Sequence, residues 1–363
     1  MKTKIARLLG EEALHSEEGA KVLDEAAEII RRGGLVAFPT ETVYGLGADA
    51  VNKKAAKKIY EAKGRPSDNP LIVHIAYISQ LAEIAGKISP AMKALSDAFW
   101  PGPLTMIVNQ REGEPLIPRE TTGGLSTVAV RFPSNPIANA LIRESGRMIA
   151  APSANTSGRP SPTSGEHVIE DLDGKVDMII DAGSVDIGLE STIIDLTEDI
   201  PVILRPGFIT RGELSKVLGE VSVDPAIEGV ESSAPPKAPG MRYRHYAPKA
   251  RLTIVEKKSA SGEPVFERII KEALSFAQSG GKSAIICADE NLSHYEGLDG
   301  VKVYDIGRFE HDDEIAQNLF SVLRQCDCDG VGRIFSESFD TPRLGGAIMN
   351  RLLKAAGHDI LEI

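Results

Sequence analysis

Cysteine is scarce. The chain of 363 residues holds three, Cys287, Cys326 and Cys328, an odd number that excludes a disulfide-stapled module and fits a reducing compartment. Long apolar runs are absent too: no stretch approaches the roughly 18 apolar residues a membrane span requires. Near the start, Leu8-Leu9 meets Gly10, Glu11 and Glu12 at once, so no apolar signal core develops. These absences predict a soluble, cytoplasmic protein. Excess positive charge is also lacking, since 41 basic against 52 acidic residues leave a net charge of −11. That balance disfavours binding nucleic acid or membrane over the whole surface, so an anionic partner must be met in a local basic pocket. What is present is ordinary globular usage, 42% hydrophobic and 26% charged, which excludes a disordered or fibrous chain. At roughly 100–200 residues per domain, the length predicts two or three domains.

Apolar Val22, Leu23, Ala26, Ala27, Ile29 and Ile30 recur at helical spacing until Gly33-Gly34 stops the pattern. Short apolar runs predict strands at 35–38, 71–75, 104–108, 127–132, 148–151, 178–180, 192–196 and 202–204, with helices between them at 53–62, 90–99, 136–144, 164–172 and 211–218. Short gaps after 180 and 196 predict a partly antiparallel sheet in one large α/β domain. From Val221 the pattern lapses into a Pro- and Ser-rich linker. Strands at 252–255, 284–287, 301–305 and 331–335 then alternate with helices at 265–277, 315–323 and 347–356, predicting a small parallel, Rossmann-type unit.

Cations, hydroxyls and glycines cluster at the predicted strand ends. Pro39-Thr40-Glu41-Thr42-Val43-Tyr44-Gly45-Leu46-Gly47 follows a buried strand, where small side chains let a ligand approach, although a plain turn explains it equally. Lys63-Gly64-Arg65-Pro66 ends a helix and Asn69-Pro70 opens a strand, a corner suited to phosphate or simply solvated. His74 shares a strand face with Ile72; a core histidine is the default, and no second His or Cys stands at ligand spacing. Arg131 ends an apolar strand, where an anion or an internal salt bridge would satisfy it. Ala150-Ala151-Pro152-Ser153-Ala154-Asn155, Arg159 with Ser161, Glu190-Ser191-Thr192 and Arg205-Pro206-Gly207 add small residues, donors and cations. Lys63, Arg65, Arg131, Arg159 and Arg205 all fall beside strand ends of an acidic protein, which predicts a pocket for an anionic ligand. Gly281-Lys282-Ser283 is no P-loop, because Phe276 stands at the first glycine position and the strand follows the motif. Cys326-Asp327-Cys328 lacks a second ligand pair and reads as a helix-end turn. In the linker, Tyr243 and Tyr246 interleave with Arg242, Arg244 and Lys249, marking a segment that docks on a nucleotide or on the first domain.

In order along the chain, the 39–47 stretch, Lys63-Gly64-Arg65-Pro66, Asn69 to His74, Trp100-Pro101-Gly102-Pro103-Leu104-Thr105, Val128-Ala129-Val130-Arg131, Ala151 to Asn155, Glu190 to Ile193, Leu204 to Gly207 and the linker signature Met241-Arg242-Tyr243-Arg244-His245-Tyr246-Ala247-Pro248 resemble the threonylcarbamoyl-AMP synthase family of two-domain type. The resemblance implies an open YrdC-like α/β domain with a large mixed, twisted sheet over 1–220, a linker and lid over 221–249, and a smaller Rossmann-like parallel α/β domain over 250–363. It implies a nucleotidyltransferase that joins L-threonine, bicarbonate and ATP into threonylcarbamoyl-AMP and pyrophosphate, for a tRNA threonylcarbamoyl transferase to use. Carried onto matching positions, Thr40, His74, Arg131, Ala151 and Ser191 surround threonine, with Arg131 and Ser191 on its carboxylate. Lys63, Arg65, Asn69, Thr127, Ser153, Asn155, Ser161, Arg205 and Tyr243 hold ATP. Mg²⁺ accompanies the ATP, and neither a covalent nucleophile nor a structural metal is expected. The competing expectation is a module that binds tRNA or double-stranded RNA without turnover.

Overall fold

The computed structural model describes residues 2–228, 237–238, 245–258 and 262–363, which divide into two compact units. Unit one comprises 1–157, 161–186 and 190–242; unit two comprises 158–160, 187–189 and 243–363.

The strands of unit one are β1 (Lys4–Arg7), β2 (Val36–Phe38), β3 (Gly45–Asp49), β4 (Ile72–His74), β5 (Leu104–Asn109), β6 (Thr127–Arg131), β7 (Ile149–Ala150), β8 (Met178–Asp181), β9 (Thr192–Asp195), β10 (Val202–Arg205) and β11 (Ser222–Val223). They form one mixed sheet in the order β1-β8-β2-β3-β7-β4-β6-β5-β9-β10-β11. All eight expected strands are present, each within a residue of its expected ends. Three more join them. β1 has a single buried residue, Ala6, and is a strand because it pairs in parallel with β8. β3, Gly-Leu-Gly-Ala-Asp, has no β-branched residue to announce it. Its glycines let neighbouring strands close in: a Cβ at Gly47 would lie 2.6 Å from Phe38 Cε1 and 2.8 Å from Ile149 Cγ2. β11 falls inside the stretch expected as linker and pairs in parallel with β10.

Helices cover one face of this sheet. In Glu17–Arg31, Ser16 Oγ accepts from Gly19 N, and Val22, Leu23, Ala26, Ala27, Ile29 and Ile30 are buried in the main core. In Lys53–Lys63, the Asn52 side chain caps the start, and Gly64 ends the helix in the left-handed conformation at φ 62°. That turn sets Lys63 and Arg65 on either side of a fixed corner.

The second unit carries β12 (Arg251–Glu256), β13 (Ser283–Cys287), β14 (Val301–Asp305), β15 (Arg333–Ser336) and β16 (Ile360–Glu362), all parallel, in the order β14-β13-β15-β12-β16. This is the expected Rossmann-like sheet with β16 added at its edge. Val255, Ile269, Ala273, Ile285, Cys287, Tyr295 and Phe335 form a core. The three cysteines are free, Cys287 and Cys326 buried and Cys328 exposed, the latter two in the last turn of the helix Asp312–Cys328.

Candidate active site

Alternation along the strands sorts unit one's side chains onto two faces. Val73, Met106, Val108, Val128, Val130 and Ile194 enter the main core. On the other face Ile72, Ile107, Ala129, Ile193 and Leu204 form a separate small apolar floor with Ala238. His74 lies two residues from Ile72, Thr105 two from Ile107, and Thr127 and Arg131 two on either side of Ala129, so all four belong to the floor's face. Register brings three of them together, with His74 opposite Arg131 across β4/β6 and Thr105 opposite Arg131 across β5/β6.

The loop after β2 closes over Arg131. Thr40 Oγ1 lies 2.9 Å from Thr42 Oγ1, donates to the Val43 carbonyl at 2.6 Å, and accepts from the backbone N–H of Thr42 and of Val43. Tyr44 pins the loop, its hydroxyl donating to the Gly183 carbonyl and accepting from Ala182 N. Arg131 Nη1 donates to Thr42 Oγ1 at 2.9 Å, and Nη2 stands 2.7 Å from Glu41 Oε1. The sequence left Arg131 between an external anion and an internal salt bridge; the structure pairs it with Glu41. His74 is buried edge-on to Phe38, with ring centroids 6.3 Å apart. Burial first, then Arg131, lower the imidazole pKa from 6.5 to about 3, against backbone contacts to Ile72 and Ile149, so the ring is neutral at pH 7.

A second cluster gathers toward the start of the parallel strands β4 and β6. The buried Lys63 ammonium donates to the carbonyls of Ser153 and Asn155 and to Asn155 Oδ1, while Ser153 Oγ donates to Asn155 Oδ1. Arg65 Nη2 donates to Asn69 Oδ1 at 2.6 Å and to the Pro70 carbonyl at 3.0 Å. Thr127 opens β6, opposite Asn109 of β5. At about 3.3 Å per residue it stands about 13 Å along the strand from Arg131. Ala151 lies between the clusters, its N–H given to the Ile72 carbonyl, so only its carbonyl can serve a ligand.

A third group adjoins Arg131 through Thr105. Thr105 Oγ1 and Ser191 Oγ are 2.7 Å apart, and Arg205 donates to the Ser191 carbonyl at 3.0–3.1 Å and to Ser191 Oγ at 3.1 Å. Ser161 Oγ donates to Glu190 Oε1. Ser161 and Arg205, expected with the nucleotide, are thus bonded to Glu190 and Ser191 respectively. Arg159, expected among the pocket cations, belongs to unit two and faces Asp327 there at 3.8 Å. Tyr243 lies outside the described residues.

Four polar residues of the site escaped sequence reading as site members: Glu41, Thr42, Thr105 and Glu190. Each stands beside a residue that was singled out, in the chain or across a strand pair, and that adjacency was the available signal. Among the described residues no group of three His, Cys, Asp or Glu side chains could hold a metal ion, and no helix is long and apolar enough to cross a membrane.

Comparison with known proteins places this geometry. A family model described as telomere recombination, covering Sua5, YciO and YrdC, matches residues 28–207, and one described as threonylcarbamoyl-AMP synthase, C-terminal domain, matches 209–357. The threonylcarbamoyl-AMP synthase of Pyrococcus abyssi is 48% identical over 338 residues, covering 93% of this chain and 95% of the relative. That of Bacillus subtilis is 48% identical over 338 residues, covering 93% and 94%. A crystal structure of P. abyssi Sua5 complexed with L-threonine matches at a TM-score of 0.88 with 46% identity, covering 100% of both chains. The chain belongs to the two-domain threonylcarbamoyl-AMP synthase family.

Proposed function

We propose that this chain converts L-threonine, bicarbonate and ATP into threonylcarbamoyl-AMP and pyrophosphate. The end-to-end likeness to a Sua5 complexed with L-threonine carries this reading, and the linked set of His74, Arg131, Thr105, Ser191 and Arg205 supports it.

In this reading the threonine carboxylate meets Arg131 and Ser191, the neutral His74 imidazole meets the side-chain hydroxyl, and Thr40 and the Ala151 carbonyl complete the surround of the amino acid. Lys63, Arg65, Asn69, Thr127, Ser153 and Asn155 hold ATP, with Tyr243 contributed by the linker. Ser161 and Arg205 adjoin the threonine side, where the α-phosphoryl group has to reach the amino acid. The amine, having given up a proton, bonds to the bicarbonate carbon as a C–O bond of bicarbonate breaks and water leaves, giving a carbamate; a carbamate oxygen then bonds to the α-phosphorus as the bond to pyrophosphate breaks. Alignment of two weakly reactive anions supplies a large part of the catalysis, and no covalent nucleophile is needed.

Mg²⁺ commonly binds through one or two carboxylates plus substrate phosphates. With no three-ligand cluster among the described residues, the ion fits here as a companion of ATP, neutralising phosphate charge. In this reading the protein works in the cytoplasm, a compartment its scarce cysteines suit, and a tRNA-modifying transferase consumes the product. Pyrophosphate release by the purified chain without RNA tests the reading. Release is expected only with L-threonine, bicarbonate and ATP together; release indifferent to threonine or bicarbonate would refute it.

A further inference from the structure

Glu41 is 5% exposed, and neither carboxylate oxygen accepts a hydrogen bond among the described residues. Buried carboxylates normally collect such bonds. Among the described residues its close charged partner is Arg131 Nη2, 2.7 Å from Oε1, near enough for an ion pair but misaligned for a hydrogen bond. Arg131, 4% exposed, is held otherwise by Thr42 Oγ1 and, at 3.4 Å, the Gly102 carbonyl. The pair is thus two buried opposite charges in contact, with the carboxylate's hydrogen-bonding capacity unused.

We infer that Glu41 is the receptor for the α-ammonium group of the amino-acid substrate, and that the substrate zwitterion inserts between Glu41 and Arg131. This rests on the proposed placement of the substrate carboxylate at Arg131. When that carboxylate takes the guanidinium, Glu41 loses its one counter-charge among the described residues, in a buried site, at high electrostatic cost. An α-amino acid carries the replacement on the same carbon: its carboxylate meets Arg131 while its ammonium meets Glu41, and charges alternate along the row. An acid without the amine leaves Glu41 uncompensated, so the site selects α-amino acids over otherwise matching acids. Selection by a charge left unpaired is stronger than selection by shape alone.

Calorimetric binding of L-threonine and of (R)-3-hydroxybutyrate, which is threonine without its amine, tests this on the full chain. The wild type is expected to prefer threonine by about tenfold or more, as loss of a charge-assisted hydrogen bond in a buried site implies. Glu41→Gln should bring the two affinities within about twofold of each other, chiefly by weakening threonine, with ATP affinity held within about twofold, because a neutral amide removes the ammonium's counter-charge alone. An unchanged preference in Glu41→Gln would overturn the inference, as would joint loss of ATP and threonine binding with a lowered unfolding temperature. The wild type serves as a check that needs no variant: equal affinity for the two acids refutes an ammonium receptor while leaving threonine binding intact. Binding of neither acid would remove the functional reading together with the inference.

Discussion

Lys63, 2% exposed, brings three ammonium donors to the site, and it makes contacts to the Ser153 and Asn155 carbonyls and to Asn155 Oδ1. On the proposed assignment, a phosphate oxygen that takes a hydrogen bond from this lysine competes with the Ser153 and Asn155 oxygens, coupling nucleotide binding to the seating of the Ser153–Asn155 turn. Lys63→Ala and Arg65→Ala are expected to weaken ATP binding by roughly 1.5–3 kcal/mol each, the scale of charge-assisted hydrogen bonds, as measured by calorimetric titration. Arg131→Ala should lower threonine affinity more than ATP affinity; equal losses would mark that arginine as scaffold. His74 gives a pH signature. Its folded pKa is depressed to about 3 from 6.5, so the unfolded chain binds a proton that the folded one refuses. Stability therefore falls as pH drops from 6.5 toward 3, and no further on this account below that. His74→Gln should flatten that part of a urea-unfolding series against pH. Strand-end cations and hydroxyls are legible in sequence because each is conspicuous among apolar neighbours. The carboxylates that answer them are not: Glu41 meets Arg131 across 90 positions and Glu190 meets Ser161 across 29, pairings that only the fold determines.

Elements with their own apolar pattern were legible, and those recruited by neighbours were not. Val36–Phe38 and Met178–Asp181 are apolar runs with evident ends, whereas Lys4–Arg7 and Ser222–Val223 are strands because an edge was available to pair with. Gly45–Asp49 was hidden for the opposite reason, since its tight seat between Phe38 and Ile149 demands glycine, the residue that usually marks a break. Gly47→Ala puts a methyl group against two buried side chains and is expected to destabilise the chain by about 1–3 kcal/mol. Chemical denaturation measures this; an unchanged midpoint would show that Phe38 and Ile149 can yield. The linker was read as docking on a nucleotide or on the first domain. Of its described residues, Lys237 pairs with Asp195 at 3.0 Å and Glu198 at 2.6 Å, and Ala238 is buried on the floor beneath the site.

For the whole molecule, the net charge of −11 belongs with a catalyst that admits anions at one place. Filter binding of tRNA is accordingly expected to be weak and to lack the steep salt dependence of a backbone-tracking surface. Tight binding that collapses between 50 and 200 mM salt would favour the RNA-binding alternative. The parallel sheet of the second unit was legible from simple alternation of strands and helices, whereas the strand order of the first was not, because mixed pairing leaves no such rhythm.

β6 runs from Thr127 to Arg131 with β4 bonded along one side and β5 along the other. On the proposed assignment, one reactant touches each end of this segment. The gap between amino acid and nucleotide is then counted in peptide units inside the sheet, like marks on a ruler clamped along both edges. Loops can re-aim either reactant, but the reach itself changes only if a residue is added to or removed from the strand between its two ends, and a one-residue change would leave Thr127 and Arg131 on opposite faces.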